Sequence, residues 1–235
     1  RENEFYNINF EVKRGEILGF FGLMGAGRTE VMDTVFGLRK AEKGTVTMKG
    51  NQMGTVKKAI SNGMAYITED RKISGLNLIA SVKDNISIAY MDMITKGKFL
   101  IDFKKEKEIS DELIKKIKTK CSSRDTLAGT LSGGNQQKIV IAKWFMGNPD
   151  LLIMDEPTRG IDIGAKAEIY KLMDMLVKSG KSIIMISSET PELLGMSDRV
   201  IVMHEGYQTG EFKCGELNQD KLMAYAIGEG GKYHQ

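Results

Sequence analysis

The chain has few cysteines, no long apolar run and no large net charge. None of its 235 residues lies in a run approaching the roughly 18 apolar residues of a membrane-spanning helix, and no basic-then-apolar signal segment opens the chain. Two cysteines far apart, Cys121 and Cys214, fit neither a disulfide framework nor a metal site and indicate a reducing compartment. The net charge of +3, with acids and bases interspersed, indicates no dedicated nucleic-acid face. We therefore expect a soluble chain that is not secreted.

A glycine-rich octet, GLMGAGRT at residues 22–29, follows an apolar run that predicts a buried strand. Apolar residues then recur at helical spacing up to a capping glycine, Gly37: Val31, Met32, Val35 and Phe36. This is the arrangement of a phosphate-binding P-loop, in which backbone N–H groups and a helix N-terminus surround a polyphosphate. Glycine-rich turns between strands and helices also occur without a ligand, so the octet alone leaves both interpretations open.

The octet departs from the P-loop pattern at Arg28. The motif has lysine at this position, where a compact ammonium reaches the β- and γ-phosphates. Arginine keeps the positive charge, but its planar guanidinium is not an equivalent point charge. This departure bears directly on the predicted activity of the site.

A second candidate segment is the apolar run at 151–154, which ends in Asp155 and Glu156. The run predicts a strand buried on both faces. Acidic side chains beside a buried strand are costly unless a cation requires them. We therefore assign Asp155 to Mg²⁺ and Glu156 to polarisation of the attacking water.

A third candidate segment is Ser132, Gly133 and Gly134, which open a predicted helix about twenty residues before the acidic pair. Free N–H groups and the helix dipole at such a start can hold a phosphate. Taken alone, Ser-Gly-Gly is also a common turn. Its position ahead of the acidic motif favours the functional interpretation.

The order of patterns predicts an α/β fold with a mostly parallel sheet, an antiparallel β portion and an inserted helical subdomain at about 74–148. Strands are predicted at 4–12, 44–49, 63–67, 151–156, 182–186 and 200–203. Helices are predicted at 56–61, 81–90, 102–118 and 165–179. One face of the 102–118 helix is predicted to contain Phe103, Ile109, Leu113 and Ile117. Because the first residue is not Met and a strand pattern begins at once, we expect a fragment of a longer polypeptide.

The ordered set of P-loop, LSGGNQQ at 131–137 and DEPTRG at 155–160 resembles the nucleotide-binding domain of ATP-binding-cassette (ABC) transporters. The resemblance covers nearly the whole chain, and the Ser-Gly-Gly signature is very specific in this context. GLMGAGRTE, TEDRK, DEPTRGIDIGAK and SSETPELLGMSDR more narrowly resemble the C-terminal cassette of tandem ATPases that drive bacterial sugar importers of the ribose and galactose type. The resemblance implies one ABC domain over 1–235, with a RecA-like P-loop NTPase core.

The resemblance also implies the role of each site residue. Two cassettes would face each other head to tail, with each ATP between the P-loop of one and the signature of the other. The residues that would hold ATP are Gly22, Gly25, Ala26, Gly27, Arg28 and Thr29. Thr29 and Asp155 would hold Mg²⁺, and Glu156 would be the catalytic carboxylate. Ser132, Gly133 and Gly134 would reach the partner's nucleotide, and Asp162 would lie in a loop that communicates between the two sites.

The implied partners are an N-terminal cassette of the same polypeptide, membrane permease subunits and, indirectly, an extracytoplasmic sugar-binding protein. No nucleic acid is implied. The chain would work at the cytoplasmic face of a bacterial membrane as a peripheral protein. The loop around Glu69 and the helical insertion would dock onto the permease. Phe5 and Tyr6 are candidates for the adenine-stacking aromatic that this family usually places upstream of the P-loop, but they lie close to the predicted Phe10 strand.

Three residues depart from the competent ABC pattern. Arg28 replaces lysine, Glu69 stands where a glutamine normally senses Mg²⁺ and water, and Ser188 stands where a histidine normally contacts the γ-phosphate. We therefore expect the chain's own P-loop site to be degenerate and the isolated domain to be weak or inactive as an ATPase. The competent site would pair the partner's P-loop with Ser132–Gly134. The alternative is that the three replacements form a tolerated variant that still turns over.

Two other functions are compatible with parts of the pattern. One is a soluble ABC-type ATPase that acts on ribosomes or DNA, which the charge balance and the lack of long basic insertions disfavour. The other is a small-molecule P-loop kinase, in which the Ser-Gly-Gly signature and the helical insertion would have no role.

Overall fold

The computed structural model describes residues 4–97 and 100–230. They fall into two compact units. The first comprises the described residues within Arg1–Tyr66, Asp150–Glu156 and Asp174–Gln235, and the second those within Ile67–Pro149 and Pro157–Met173. None of the helices in the described ranges has both the length and the apolar character needed to cross a membrane.

The structure contains short and long strands in the following chain order: β1 Ile17–Gly22, β2 Thr47–Met48, β3 Asn51–Gln52, β4 Met64–Ile67, β5 Thr95–Lys96, β6 Leu100–Ile101, β7 Leu151–Asp155, β8 Ser182–Ile186, β9 Arg199–His204 and β10 Tyr207–Lys213. The α-helices are α1 Arg28–Phe36, α2 Val56–Ser61, α3 Val82–Ser87, α4 Phe103–Ile117, α5 Gly133–Phe145, α6 Ile163–Lys178, α7 Thr190–Met196 and α8 Gln219–Ala226. A π-helical turn spans Arg71–Gly75, and a 3₁₀ helix spans Ile88–Ile94.

The main sheet has six strands in the order β10-β9-β1-β8-β7-β4. β1 pairs in parallel with β8 and β9, β7 pairs in parallel with β8, and β10 runs antiparallel to β9. Every residue of β1, β7 and β8 is buried, as expected for parallel strands covered on both faces. The expected α/β fold with a mostly parallel sheet and antiparallel strands is therefore confirmed. Because β1, β8 and β7 are parallel, the segments that follow them meet at the same edge of the sheet.

The second unit is mostly helical, with α3, α4 and α5 in mutual contact. The caps at α3 and α4 follow from their sequences. Ser81 and Asp84 form a capping box at α3, and the Asp102 carboxylate accepts from the Lys105 N–H at the start of α4. Between the helices, the Ser87 hydroxyl donates to the buried Glu106 carboxylate over 2.7 Å. The helix predicted at 102–118 is confirmed at 103–117.

Several sequence expectations were wrong. The strand predicted at 4–12 is absent from the described residues 4–12, which make only an isolated bridge between Tyr6 and Tyr207. Asn7 has φ +50°, a left-handed conformation that interrupts extended backbone. The strand predicted at 44–49 is reduced to β2. The helix predicted at 81–90 is present, as an α-helix to Ser87 that continues as a 3₁₀ helix from Ile88. Phe103, predicted on the packed face of α4, is 71% exposed.

A buried lysine joins α5 to the π-helical turn within the second unit. Lys143 is 8% exposed, donates to the Gly75 carbonyl over 2.5 Å and lies 5.5 Å from the Trp144 ring centroid. Burial lowers the pKa of Lys143 to about 8. The charged form is therefore destabilised in the folded state relative to the unfolded chain, in which a lysine has a pKa of about 10.4.

This pKa difference predicts a pH-dependent stability. Between the folded pKa of about 8 and the unfolded value of about 10.4, the unfolded chain binds the proton that folded Lys143 has lost. The free energy of unfolding therefore gains up to about 3 kcal/mol from this group as pH rises through that window. Urea titrations at pH 7.5 and pH 10 measure the free energy of unfolding. Between these two pH values it should rise more in the wild type than in Lys143→Met. Lys171→Met, which removes an exposed lysine, should have the same pH dependence as the wild type. The same pH dependence in Lys143→Met would contradict the assignment of this effect to Lys143.

Candidate nucleotide-binding site

The P-loop lies between the last residue of β1, Gly22, and the first of α1. Its glycines are required for different physical reasons. A Cβ on Gly22 would lie 2.6 Å from the Met203 carbonyl oxygen, so packing excludes a side chain there. Gly25 and Gly27 have φ values of +80° and +91°, in the left-handed region that favours glycine. The octet therefore forms the tight turn that the sequence predicts.

Unpaired backbone donors line this turn. Within the described chain, the N–H groups of Gly25, Gly27, Arg28 and Thr29 donate no backbone hydrogen bond. The first N–H groups of a helix have no intrahelical acceptor, and the positive end of the helix dipole lies beside them. Such a cluster of donors is a site for an anion such as a phosphate. These residues fit the polyphosphate of ATP.

Asp155 lies at the end of β7 and contacts the start of α1. The Thr29 hydroxyl donates to Asp155 Oδ2 over 2.9 Å, and the Tyr66 hydroxyl lies 3.5 Å from the same oxygen. Asp155 is 1% exposed; burial raises its pKa to about 6, and the hydrogen bond from Thr29 acts in the opposite direction. A hydroxyl and a carboxylate oxygen held together are the kind of ligands that Mg²⁺ prefers. This donor pair fits Mg²⁺.

Glu156, the next residue, has φ +48° and contacts both replaced residues of the first unit. Ser188 Oγ donates to Glu156 Oε2 over 3.2 Å, and Arg28 Nη1 lies 4.0 Å from Glu156 Oε1. Arg28 Nη1 also donates to the Ser187 carbonyl over 3.5 Å. Burial raises the pKa of Glu156 and lowers that of Arg28. The Arg28 side chain is therefore directed at a carboxylate and a carbonyl of its own unit.

The other predicted site residues lie in the second unit. The Glu69 carboxylate forms an ion pair with the Arg159 guanidinium. Asp162 Oδ1 accepts from the Ala165 N–H over 2.9 Å, and so caps the start of α6. Both side chains thus have identified partners inside this unit.

The signature begins with Ser132, the N-cap of α5. Asn135 Nδ2 donates to Ser132 Oγ over 3.0 Å, and Asn135 Oδ1 accepts from the Lys120 N–H over 2.8 Å. Because the serine oxygen already accepts from Asn135, its own proton is available for another acceptor. A cleft of about 310 Å³ opens here; the residues that line it are Lys120, Ser132, Gly134, Asn135, Asp162, Gly164, Ala165 and Glu168.

Close packing excludes a side chain at Gly134 and leaves little room for one at Gly133. A Cβ on Gly134 would lie 2.4 Å from Ala165 Cβ, and one on Gly133 would lie 2.9 Å from Arg71 Nη2. Sequence analysis assigned no role to Asn135 or Arg71, although both lie inside quoted motifs. For Asn135 a signal was available, since it follows the N-cap serine by three residues, the spacing of reciprocal capping.

The sequence profile described as "ABC transporter" matches residues 5–159. The chain belongs to the ABC transporter family. The matched range includes the P-loop at 22–29 and the signature at 131–137.

Two curated relatives of this cassette are named as ribose import ATP-binding proteins. The protein of Oceanobacillus iheyensis is 48% identical over 234 residues, covering 98% of this chain and 47% of the relative. The protein of Clostridium tetani is 48% identical over 228 residues, covering 96% and 45%. The chain spans about half the length of the curated relatives it matches.

Solved cassettes share the fold. The ADP conformation of MJ1267, an ATP-binding cassette of an ABC transporter, has a TM-score of 0.79 at 21% identity and covers 96% of this chain and 93% of that one. The dimeric, ADP- and phosphate-bound cassette MJ0796 has a TM-score of 0.77 at 19% identity, with 90% coverage of each chain. The ABC cassette fold is thus shared well beyond the ribose import relatives.

The Thr29–Asp155 pair predicts a Mg²⁺-specific effect. Thr29→Val keeps the side-chain shape but removes the hydroxyl, whereas Thr29→Ser keeps the hydroxyl. In the presence of Mg²⁺, we expect Thr29→Val to bind ATP about tenfold more weakly than the wild type, because the Mg²⁺-dependent gain in affinity is lost. In EDTA, the variant and the wild type should bind ATP with the same affinity. Calorimetric titrations with and without Mg²⁺ test this. Equal Mg²⁺ dependence in Thr29→Val and Thr29→Ser would contradict it.

Proposed function

We propose that this chain is the ATP-binding cassette of a bacterial monosaccharide importer, powering transport through a membrane permease. The observation that carries the proposal is the joint occurrence of the unpaired P-loop donors and the Thr29–Asp155 pair in a chain 48% identical to ribose import ATP-binding proteins. The cassette acts from the cytoplasmic face of the membrane. A sugar-binding protein on the opposite side delivers the substrate to the permease.

The second cassette of the pair belongs to the same polypeptide and precedes this one. The match to about half of each curated relative leaves room for a second cassette in the same chain and supports this arrangement. Ser132, Gly133 and Gly134 then complete the partner's ATP site. The free Ser132 proton and the open cleft beside it suit that role.

In the chain's own site, Gly22–Thr29 bind the triphosphate and Thr29 and Asp155 hold Mg²⁺. When bound, Mg²⁺ neutralises charge on the phosphate oxygens. The backbone N–H groups of the P-loop orient the nucleotide without help from the Arg28 side chain. Glu156 corresponds to the carboxylate that polarises water in a competent cassette, and its presence counts against a complete loss of turnover at this site.

We further propose that this own site is degenerate. The Ser188 hydroxyl is shorter than an imidazole and cannot carry a charge near neutral pH, so a charge-assisted contact to the transition state is lost. Such contacts contribute roughly 1.5 to 3 kcal/mol each. Two losses, at Ser188 and Arg28, slow the chemistry by about a hundredfold or more, since each 1.4 kcal/mol is about tenfold.

The contacts of the replaced residues support degeneracy. Arg28 contacts Glu156 and the Ser187 carbonyl, and Ser188 donates to Glu156. Glu69 is paired with Arg159. Each of the replacing side chains therefore has a protein partner inside its own unit. The signature residues, by contrast, match the competent pattern.

The test restores the competent pattern. In the full-length protein, whose other cassette carries an inactivating substitution of its catalytic carboxylate, we expect negligible ATP turnover. Arg28→Lys, Glu69→Gln and Ser188→His together should raise that turnover by about a hundredfold, because the transition-state contacts return. Steady-state phosphate release with Mg²⁺-ATP is the measurement.

The control for this experiment adds Glu156→Gln to the triple variant. It should abolish the regained turnover, because the regained chemistry depends on that carboxylate. Turnover at a cassette-like rate without the triple substitution, lost only in Glu156→Gln, would show that the site is a tolerated variant and active.

A further inference from the structure

Arg71 joins two separate motifs within the second unit. Its Nη1 donates to the Arg159 carbonyl over 2.7 Å and its Nη2 to the Gly160 carbonyl over 3.1 Å. One guanidinium thus holds two successive carbonyls of the segment that leads to Asp162. This forked pair of donors is a geometry that arginine provides and lysine does not.

The same guanidinium also lies against the first residue of the signature helix. A Cβ on Gly133 would lie 2.9 Å from Arg71 Nη2 and 3.2 Å from the Gly160 carbonyl oxygen. Arg71 and Gly160 therefore fill the space beside Gly133. Three segments, TEDRK at 68–72, the 159–160 turn and the start of α5, meet at this one side chain.

The loop that carries Arg71 is fixed to these segments at further points. Glu69 pairs with the Arg159 side chain, so both the side chain and the carbonyl of Arg159 are held by this loop. At the other end of the π-helical turn, Lys143 of α5 donates to the Gly75 carbonyl. The loop thus packs beside the start of α5 and is hydrogen-bonded to α5 near its other end. Single π-helical turns are uncommon and are often found at functional sites.

One donor of Arg71 is not satisfied. Its Nε is buried and has no hydrogen-bond partner among the described residues. An unpaired buried donor is unfavourable, so the side chain is held in place by its two other nitrogens and by packing. The position of Arg71 is therefore set by the junction that it forms.

We propose that Arg71 is a positioning residue that fixes the Arg159–Gly160 turn, and with it Asp162, against the start of the signature helix. This inference rests on the proposed function and on permease docking at the loop around Glu69, which the family resemblance implies. Movement of that loop is transmitted through the Arg71 fork to both Gly133 and Asp162. The partner cassette's ATP site, which Ser132–Gly134 complete, thereby responds to the permease without a direct contact between Arg71 and ATP.

The experiment uses the full-length protein assembled with its permease in lipid vesicles, with radiolabelled ribose as the transported probe. Arg71→Met removes the fork and keeps an aliphatic stem. Arg71→Lys keeps the charge but not the fork. Lys72→Met is the matched control, since Lys72 is an exposed neighbour whose removal changes the loop's charge by the same amount. Hydrogen exchange of the backbone amides at 160–165 is measured on the same samples.

Loss of two charge-assisted bonds should lower ribose uptake and the kcat for ATP by about tenfold or more in Arg71→Met, with the KM for ATP changed less than about threefold. Amides at 160–165 should exchange at least about tenfold faster. Arg71→Lys should fall between wild type and Arg71→Met, and Lys72→Met should match the wild type. A role limited to overall stability would instead raise exchange throughout the second unit.

Exchange at 160–165 in Arg71→Met equal to that in Lys72→Met would overturn the proposal, as would unchanged uptake. If Arg71→Met does not fold, the same measurements on Arg71→Lys test the proposal. Uptake and amide exchange equal to the wild type in Arg71→Lys would then contradict the role of the fork. If the wild type transports no ribose, ribose is not the transported sugar. The exchange measurement then still tests Arg71 by itself.

Discussion

The parallel pairing of β1, β8 and β7 is the constraint on which the first unit depends. It brings the carboxyl ends of these strands to one edge, where Thr29 at the start of α1 donates to Asp155 at the end of β7. Residues more than a hundred positions apart in the chain thus share one site. The segment after β8 adds Ser188, which donates to the neighbouring Glu156. Ligands of α/β sheets commonly bind at such an edge.

In the second unit, strand pairing does not position the site residues. They are positioned instead by contacts between loops and the starts of helices. Asp162 caps α6, Asn135 holds the Ser132 hydroxyl, and Arg71 holds the turn before Asp162. The Asp162 bond satisfies a backbone N–H that the start of α6 leaves unpaired. The same arrangement leaves the Ser132 proton available in an open cleft. The groups that fold this region locally are therefore also those proposed to complete the partner cassette's ATP site.

Much of this architecture could be predicted from the sequence, because periodicity and caps are local signals. β8 at 182–186 and α2 at 56–61 have the predicted bounds, and Asp102 marks the start of α4 as its cap. The strand expected at 4–12 failed because alternation at Ile8, Phe10 and Val12 does not reveal the left-handed backbone of Asn7. The prediction that Phe103 lies on the packed face of α4 was wrong, because helical periodicity does not show how far along the helix the neighbouring elements extend. The Glu69–Arg159 pair joins residues distant in sequence, so no spacing rule could indicate it.

The central claim is that this cassette contributes its signature to a competent site and carries a degenerate site of its own. The most direct measurement compares Glu156→Gln with Ser132→Ala in the full-length protein, by steady-state ATP hydrolysis. The account predicts that Glu156→Gln leaves hydrolysis within about twofold of wild type, while Ser132→Ala lowers it by at least about tenfold. Loss of hydrolysis in Glu156→Gln with little effect of Ser132→Ala would contradict the account.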